Sequence, residues 1–175
     1  MEPDLRAVSV DDERVNLLLI ERMAAELGLS VTSFTNPLEA VAHVQANPVD
    51  LVFVDSRMPE LDGVAFTQML RSRYPDIPVL MITDLSDDEE LRARALRSGA
   101  SDFMSKPLTM TEFTARVKSL SQVRRSQLFH KEWSQLLAAE VDKATRRILD
   151  REEDTLHTLA RAAARDGPAT QHHLA

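Results

Sequence analysis

Where glycine and proline fall constrains this chain more than any other feature. Three of its four glycines and seven of its eight prolines lie within residues 1–107, and none follows until Gly167. A chain so punctuated is built from short elements, while a chain without helix breakers can propagate one long helix. In the first part, short apolar runs at 7–10, 31–34, 51–54, 79–82 and 102–104 read as five strands, with amphipathic stretches between them. Such alternation implies parallel βαβ units. Helix-start signals support the intervening segments: Asn36-Pro37 before Glu39, Ser86 before Glu89, and Thr109 before Glu112. Gly28 and Gly99 stand where C-terminal caps belong. Helices are therefore expected near 13–27, 38–47, 64–73 and 89–98, with another starting at Thr109. The unbroken apolar run 51–54 suits a central strand covered on both faces. The expected fold is α/β, a doubly wound parallel sheet of five strands with a long C-terminal helical extension.

Ligands of such sheets bind beyond the carboxyl ends of the strands. Asp11 and Asp12 follow the first strand, Asp55 ends the third, Thr83 the fourth and Lys106 the fifth. Any one aspartate can simply start a helix or turn, but five polar residues on one rim read as a site. Three carboxylates together repel one another and call for a cation, and hard oxygen ligands suit Mg²⁺. Charge agrees. The net charge is −7, with 12 basic against 20 acidic residues up to Ser119 and 9 against 8 beyond. That balance argues against a nucleic-acid partner. The absence of cysteine removes disulfides, thiolate metal sites and thiol nucleophiles. The N-terminus does not resemble a signal peptide, and the longest apolar runs fall far short of the roughly 20 residues of a membrane span. A cytoplasmic protein without a membrane partner is expected.

The residues also carry a family pattern. Val10-Asp11-Asp12-Glu13, then Val54-Asp55-Ser56-Arg57-Met58-Pro59-Glu60-Leu61-Asp62-Gly63, then Ile82-Thr83, and then Gly99-Ala100-Ser101-Asp102-Phe103-Met104-Ser105-Lys106-Pro107 occur in order. In order and spacing they resemble the receiver domain of two-component response regulators. The resemblance implies a flavodoxin-like sheet of order 2-1-3-4-5, with Asp55 as phosphoacceptor. It implies Mg²⁺ held by Asp12, Asp55 and the Arg57 main-chain carbonyl, with Asp11 acting through water. Lys106 would neutralise the phosphoryl group, and its bond to Pro107 is commonly cis in the family. Thr83 and Phe103 match the switch pair, and the donor would be a histidine kinase or phosphotransfer protein. Asp84 departs from the pattern, since the residue after the switch threonine is usually small. It is expected to point outward with the acidic start of the next helix, Asp87, Asp88, Glu89 and Glu90. A stand-alone Mg²⁺-dependent phosphatase is a second reading, opposed by Arg57 where a second acid would stand. A phosphorylation-independent scaffold is a third, opposed by the complete site.

Residues 109–165, rich in Ala, Leu, Arg, Gln and Glu, have strong helix composition. Leu137, Val141, Ala144 and Ile148 follow a four-three-four spacing, preceded by Phe129 and Trp133. The stripe then drifts toward Leu149, Leu156, Leu159 and Ala163. Such a helix needs a partner, either a parallel homodimer or its own start after a hairpin at 119–126. Expected regions are a receiver at 1–120, a signalling helix at 121–165 and a tail at 166–175. Arg151-Glu152-Glu153-Asp154-Thr155-Leu156 and the run from Leu159 to Asp166 resemble the entry helix of HD-GYP-type cyclic-di-GMP phosphodiesterase response regulators. His173 would match that family's first metal-site histidine if one residue is inserted, whereas Ala169 stands where some members carry a carboxylate. No His-Asp pair or Gly-Tyr-Pro follows, so the output domain is expected to be missing. No enzyme activity is then expected beyond the receiver's own phosphorylation and dephosphorylation.

Overall fold

The computed structural model describes residues 5–84 and 89–165. The elements are β1 (Arg6–Val10), α1 (Arg14–Ala25), β2 (Ser30–Phe34), α2 (Pro37–Ala46), β3 (Leu51–Asp55), α3 (Gly63–Arg73), β4 (Val79–Thr83), α4 (Glu89–Arg97), β5 (Asp102–Ser105) and α5 (Met110–Arg165). The strands form one parallel sheet of order β2-β1-β3-β4-β5, the expected fold. Side chains alternate between its faces. Val8, Val10, Val52, Val54, Val79 and Met81 build one core with Ala40, Val44, Phe66, Leu70 and Ala95 of α2, α3 and α4. Ala7, Leu51, Phe53, Leu80, Ile82 and Met104 build the other with Ile20 and Met23 of α1 and Phe113, Val117 and Leu120 of α5. Every residue of β3 and β4 is buried, as their continuous apolar runs require.

Local chemistry sets the boundaries. Asn36 Oδ1 accepts the Leu38 N–H at 2.8 Å, and Thr109 Oγ1 accepts the Glu112 N–H at 3.4 Å. Gly28 and Gly99 adopt φ of 73° and 92°, a region closed to most side chains. The cap expected at Ser86 lies outside the described residues, as do Asp87, Asp88, Ala169, His172 and His173.

Helix α5 runs unbroken through 119–126, so the hairpin does not form. Two compact units divide between Leu128 and Phe129. The first keeps α5 beyond residue 120 for a structural reason. Leu128 packs against the second core, and Arg124 Nη2 donates to Asp50 Oδ1 and the Val49 carbonyl, each at 3.3 Å. The compact unit thus extends about two turns of α5 beyond residue 120. In the second unit, every described residue of the helix is exposed, including Trp133, Leu137, Val141, Ile148, Leu156 and Leu159.

Candidate functional site

Parallel strands end at one edge, and there the sheet gathers Asp11, Asp55, Thr83 and Lys106. Asp11 is 1% exposed, Asp55 3% and Thr83 4%. The Lys106 N–H donates to the Thr83 carbonyl at 2.7 Å, tying the end of β5 to β4. Its peptide bond to Pro107 is cis. Lys106 Nζ lies 2.8 Å from Asp55 Oδ1, 3.1 Å from Asp11 Oδ2 and 3.8 Å from Asp84 Oδ1. Asp55 Oδ2 accepts the Arg57 N–H at 2.7 Å. Asp55 Oδ1 is buried against the Lys106 ammonium. Asp11 Oδ1 accepts the Glu13 N–H at 2.8 Å and Asn16 Nδ2 at 3.1 Å.

Burial pushes the Asp55 carboxyl above its usual pKa, with a smaller push from Asp11, against the lowering pull of Lys106 and the Arg57 N–H. Burial would lower the Lys106 pKa, but Asp55 and Asp11 together hold it above its usual value. The raised Lys106 pKa means that its contribution to stability is fully present up to about pH 10 and is lost as pH rises through the folded value. Lys106→Met leaves two buried carboxylates facing each other and is expected to cost about 3 kcal/mol at neutral pH. Thermal unfolding should show that loss shrinking on acidification, when protonation removes the repulsion. A loss independent of pH would contradict the assignment.

Lys106 stands between Asp11 and Asp55, and Asp12 is exposed. Among the described residues, no three acidic or histidine side chains are grouped to hold a metal. One expectation needs correction: Asp84 does not turn away. Its Oδ2 meets Arg57 Nη2 at 3.2 Å and its Oδ1 faces Lys106, because two cations on the rim attract it. Both Arg57 and Asp84 are substantially exposed, so this pair contributes little to stability. The donor chemistry suits Mg²⁺: Asp11, Asp12 and Asp55 offer hard carboxylate oxygens, two of these residues buried at the sheet edge.

The sequence reading gave no role to three contributors. Asn16 fixes the Asp11 carboxylate. Arg116 Cζ lies 5.9 Å from the centroid of the half-buried Phe103 ring while Arg116 bonds Asp102 Oδ1 at 2.7 Å and Glu112 Oε1 at 2.8 Å. Gly63 opens α3 directly against the end of β3, its N–H donating to the Ser56 carbonyl at 3.2 Å. The apolar stripe Leu137, Val141, Ala144 and Ile148 lies in the other unit and is no part of this site.

Strand order and the acid–lysine cluster at the carboxyl edge define a flavodoxin-like domain with its site at the switch in strand order. The chain belongs to the response regulator receiver domain family, whose model matches residues 7–118. It is 36% identical over 169 residues to the cyclic di-GMP phosphodiesterase response regulator RpfG of Xanthomonas campestris pv. campestris, covering 93% of this chain and 44% of that protein. It is 34% identical over 121 residues to the transcriptional regulatory protein PrrA of Mycobacterium tuberculosis, covering 69% of this chain and 52% of that one. The chain thus spans about half the length of these relatives. A CheY-like receiver domain protein from Methanospirillum hungatei has the same fold, with a TM-score of 0.67, 18% identity, and coverage of 71% of this chain and 99% of that one. Among the described residues, no helix is long and apolar enough to cross a membrane.

Proposed function

We propose that this chain is a phosphorylation-driven switch that takes a phosphoryl group from a histidine kinase or phosphotransfer protein onto Asp55. The observation that carries this reading is the buried Asp55 carboxylate, whose Oδ1 lies 2.8 Å from the Lys106 ammonium at the carboxyl edge of the sheet. That oxygen attacks phosphorus, an O–P bond forms, the donor's P–N bond breaks, and the imidazole keeps the electron pair and takes up a proton. Attack on an anionic group needs positive charge on the equatorial oxygens. Lys106 supplies it from a position already fixed by Asp11. Asp11, Asp12, Asp55 and the Arg57 carbonyl would hold a Mg²⁺ ion, which would supply the rest of that charge neutralisation. Thr83, buried at the end of β4, then bonds the new group, and Phe103 follows inward.

The change passes to α5, which shares the second core through Phe113, Val117 and Leu120. Beyond Leu128 the helix pairs with a second copy, in parallel, along Leu137, Val141, Ala144 and Ile148. Its exposed apolar stripe supports this, since a lone helix of such composition is marginal. The output is a cyclic-di-GMP phosphodiesterase domain of the HD-GYP class, supported by the likeness to RpfG along 93% of this chain. The protein works in the cytoplasm, and this chain itself is no enzyme beyond its own phosphorylation and dephosphorylation. Replacing Val141 and Ile148 with glutamate sets like charges against each other in the seam. Light scattering is expected to find wild-type dimers and double-mutant monomers that still take phosphate from acetyl phosphate. Persistent dimers in the double mutant would move the interface elsewhere.

A further inference from the structure

One ammonium serves three carboxylates at the carboxyl edge of the sheet. Lys106 Nζ lies 2.8 Å from Asp55 Oδ1, 3.1 Å from Asp11 Oδ2 and 3.8 Å from Asp84 Oδ1. Asp55 and Asp11 are buried, whereas the Asp84 side chain keeps 47% of its surface in solvent. Asp84 also has a second cation within reach, since its Oδ2 accepts from Arg57 Nη2 at 3.2 Å. Arg57 and Asp84 follow different strands, and both strand ends are pinned. The Arg57 N–H donates to Asp55 Oδ2 at 2.7 Å, the Ser56 N–H to the Ile82 carbonyl at 2.8 Å, and the Lys106 N–H to the Thr83 carbonyl at 2.7 Å. The two side chains therefore meet on the solvent side of Lys106, while Asp11 and Asp55 hold the ammonium from within.

We infer that Asp84 is a gate on phosphoryl transfer to Asp55: it competes with the incoming phosphoryl group for Lys106, and Arg57 is the cation to which it withdraws. This rests on Asp55 being the phosphoacceptor, as proposed above. The physical reason is charge. An entering phosphoryl group brings anionic oxygens that need the ammonium. A carboxylate already beside that ammonium repels those oxygens and cancels part of its field. Asp11 and Asp55 cannot withdraw, because each is buried and accepts a main-chain N–H of its own loop. Asp84 can, because it is exposed and Arg57 offers it another partner. Exposed ion pairs are weak, and that weakness suits a gate, since either contact of Asp84 breaks at small cost.

The gate makes Arg57 and Asp84 act in opposite directions on one rate. Removing the Asp84 charge leaves Lys106 to the phosphoryl group and speeds uptake. Removing the Arg57 charge takes away the alternative partner, returns Asp84 to Lys106 and slows uptake. Two independent rim charges would share those signs, so interdependence decides between them. In a gate, the whole effect of the Arg57 guanidinium passes through Asp84.

The rate at which the full chain gains a phosphoryl group from acetyl phosphate in saturating Mg²⁺, followed by intact mass, tests this with Asp84→Asn, Arg57→Gln and the double variant. In each, the Asp55 oxygen forms the O–P bond and acetate departs with the electron pair of the bond that breaks. Both substitutions fall on exposed side chains, and Arg57→Gln keeps the main-chain carbonyl. Asp84→Asn should take up phosphate several-fold faster than wild type, the gap narrowing as added salt screens the rim charges. Arg57→Gln should be several-fold slower than wild type, and the double variant should match Asp84→Asn. Equal slowing by Arg57→Gln in both backgrounds would mean that Arg57 meets the donor directly, and would overturn the gate. Asp84→Asn at or below the wild-type rate, with the label still on Asp55, would also overturn it and leave the phosphoacceptor standing. No uptake by wild type or any variant would overturn both readings.

Discussion

Gly63→Ala is expected to lower the melting temperature by on the order of 10 °C and to reduce phosphoryl uptake at a residue eight positions away. A Cβ at position 63 would sit 2.1 Å from the Asp55 carbonyl oxygen and 3.0 Å from both the Asp55 carbonyl carbon and the Ser56 Cα. All three are backbone atoms of the end of β3 and the turn after it, so no flexible side chain can yield. Helix α3 cannot simply slide away. Asp62 caps it through the Ala65 N–H at 2.7 Å, and Phe66 and Leu70 hold it in the first core. The overpacking costs about 3 kcal/mol, and relief can come only by moving β3, which displaces the Asp55 carboxylate from Lys106. A variant that melts and takes up phosphate like wild type would show that this close approach does not position the site.

Asp55→Asn is expected to abolish phosphorylation and to raise stability at neutral pH. The amide keeps the shape of the side chain but lacks a nucleophilic carboxylate. Stability follows from the sign of the pKa shift. A folded-state pKa above the unfolded value means that the folded protein holds the Asp55 proton more tightly, so the stabilisation is present below about pH 4 and is lost as pH rises through the folded pKa. At neutral pH the ionised, buried carboxylate is therefore a net cost that the amide removes. Lys106 keeps Asp11 as its partner at 3.1 Å. Thermal melts at pH 7 should place the variant above wild type, whereas a lower melting temperature would mean that the contact with Lys106 outweighs burial.

Much of this was legible in the sequence because the informative contacts are local or periodic. The buried runs of β3 and β4, the Asn36 and Thr109 caps and the glycine caps each declare themselves within a few residues. So did the positions of Asp11, Asp55, Thr83 and Lys106, since strand ends in a parallel sheet share one edge. What was missed is long-range. Asp84 was read with its acidic neighbours in the chain, yet its partner Arg57 lies 27 residues earlier. Arg116 reaches Phe103 from α5, and Arg124 reaches Asp50 from 74 residues away. Continuity of α5 across 119–126 depended on the same contacts, which carry its packing to Leu128.

Phosphoryl transfer to Asp55 should depend on Mg²⁺ and Lys106. Intact mass of the wild-type chain, recorded over time with acetyl phosphate and Mg²⁺ and again with EDTA, tests it most directly, with Asp55→Asn alongside. One added phosphoryl group is expected on wild type in Mg²⁺, little in EDTA and none on the variant. Equal labelling of wild type and Asp55→Asn, or no labelling of wild type at all, would contradict it.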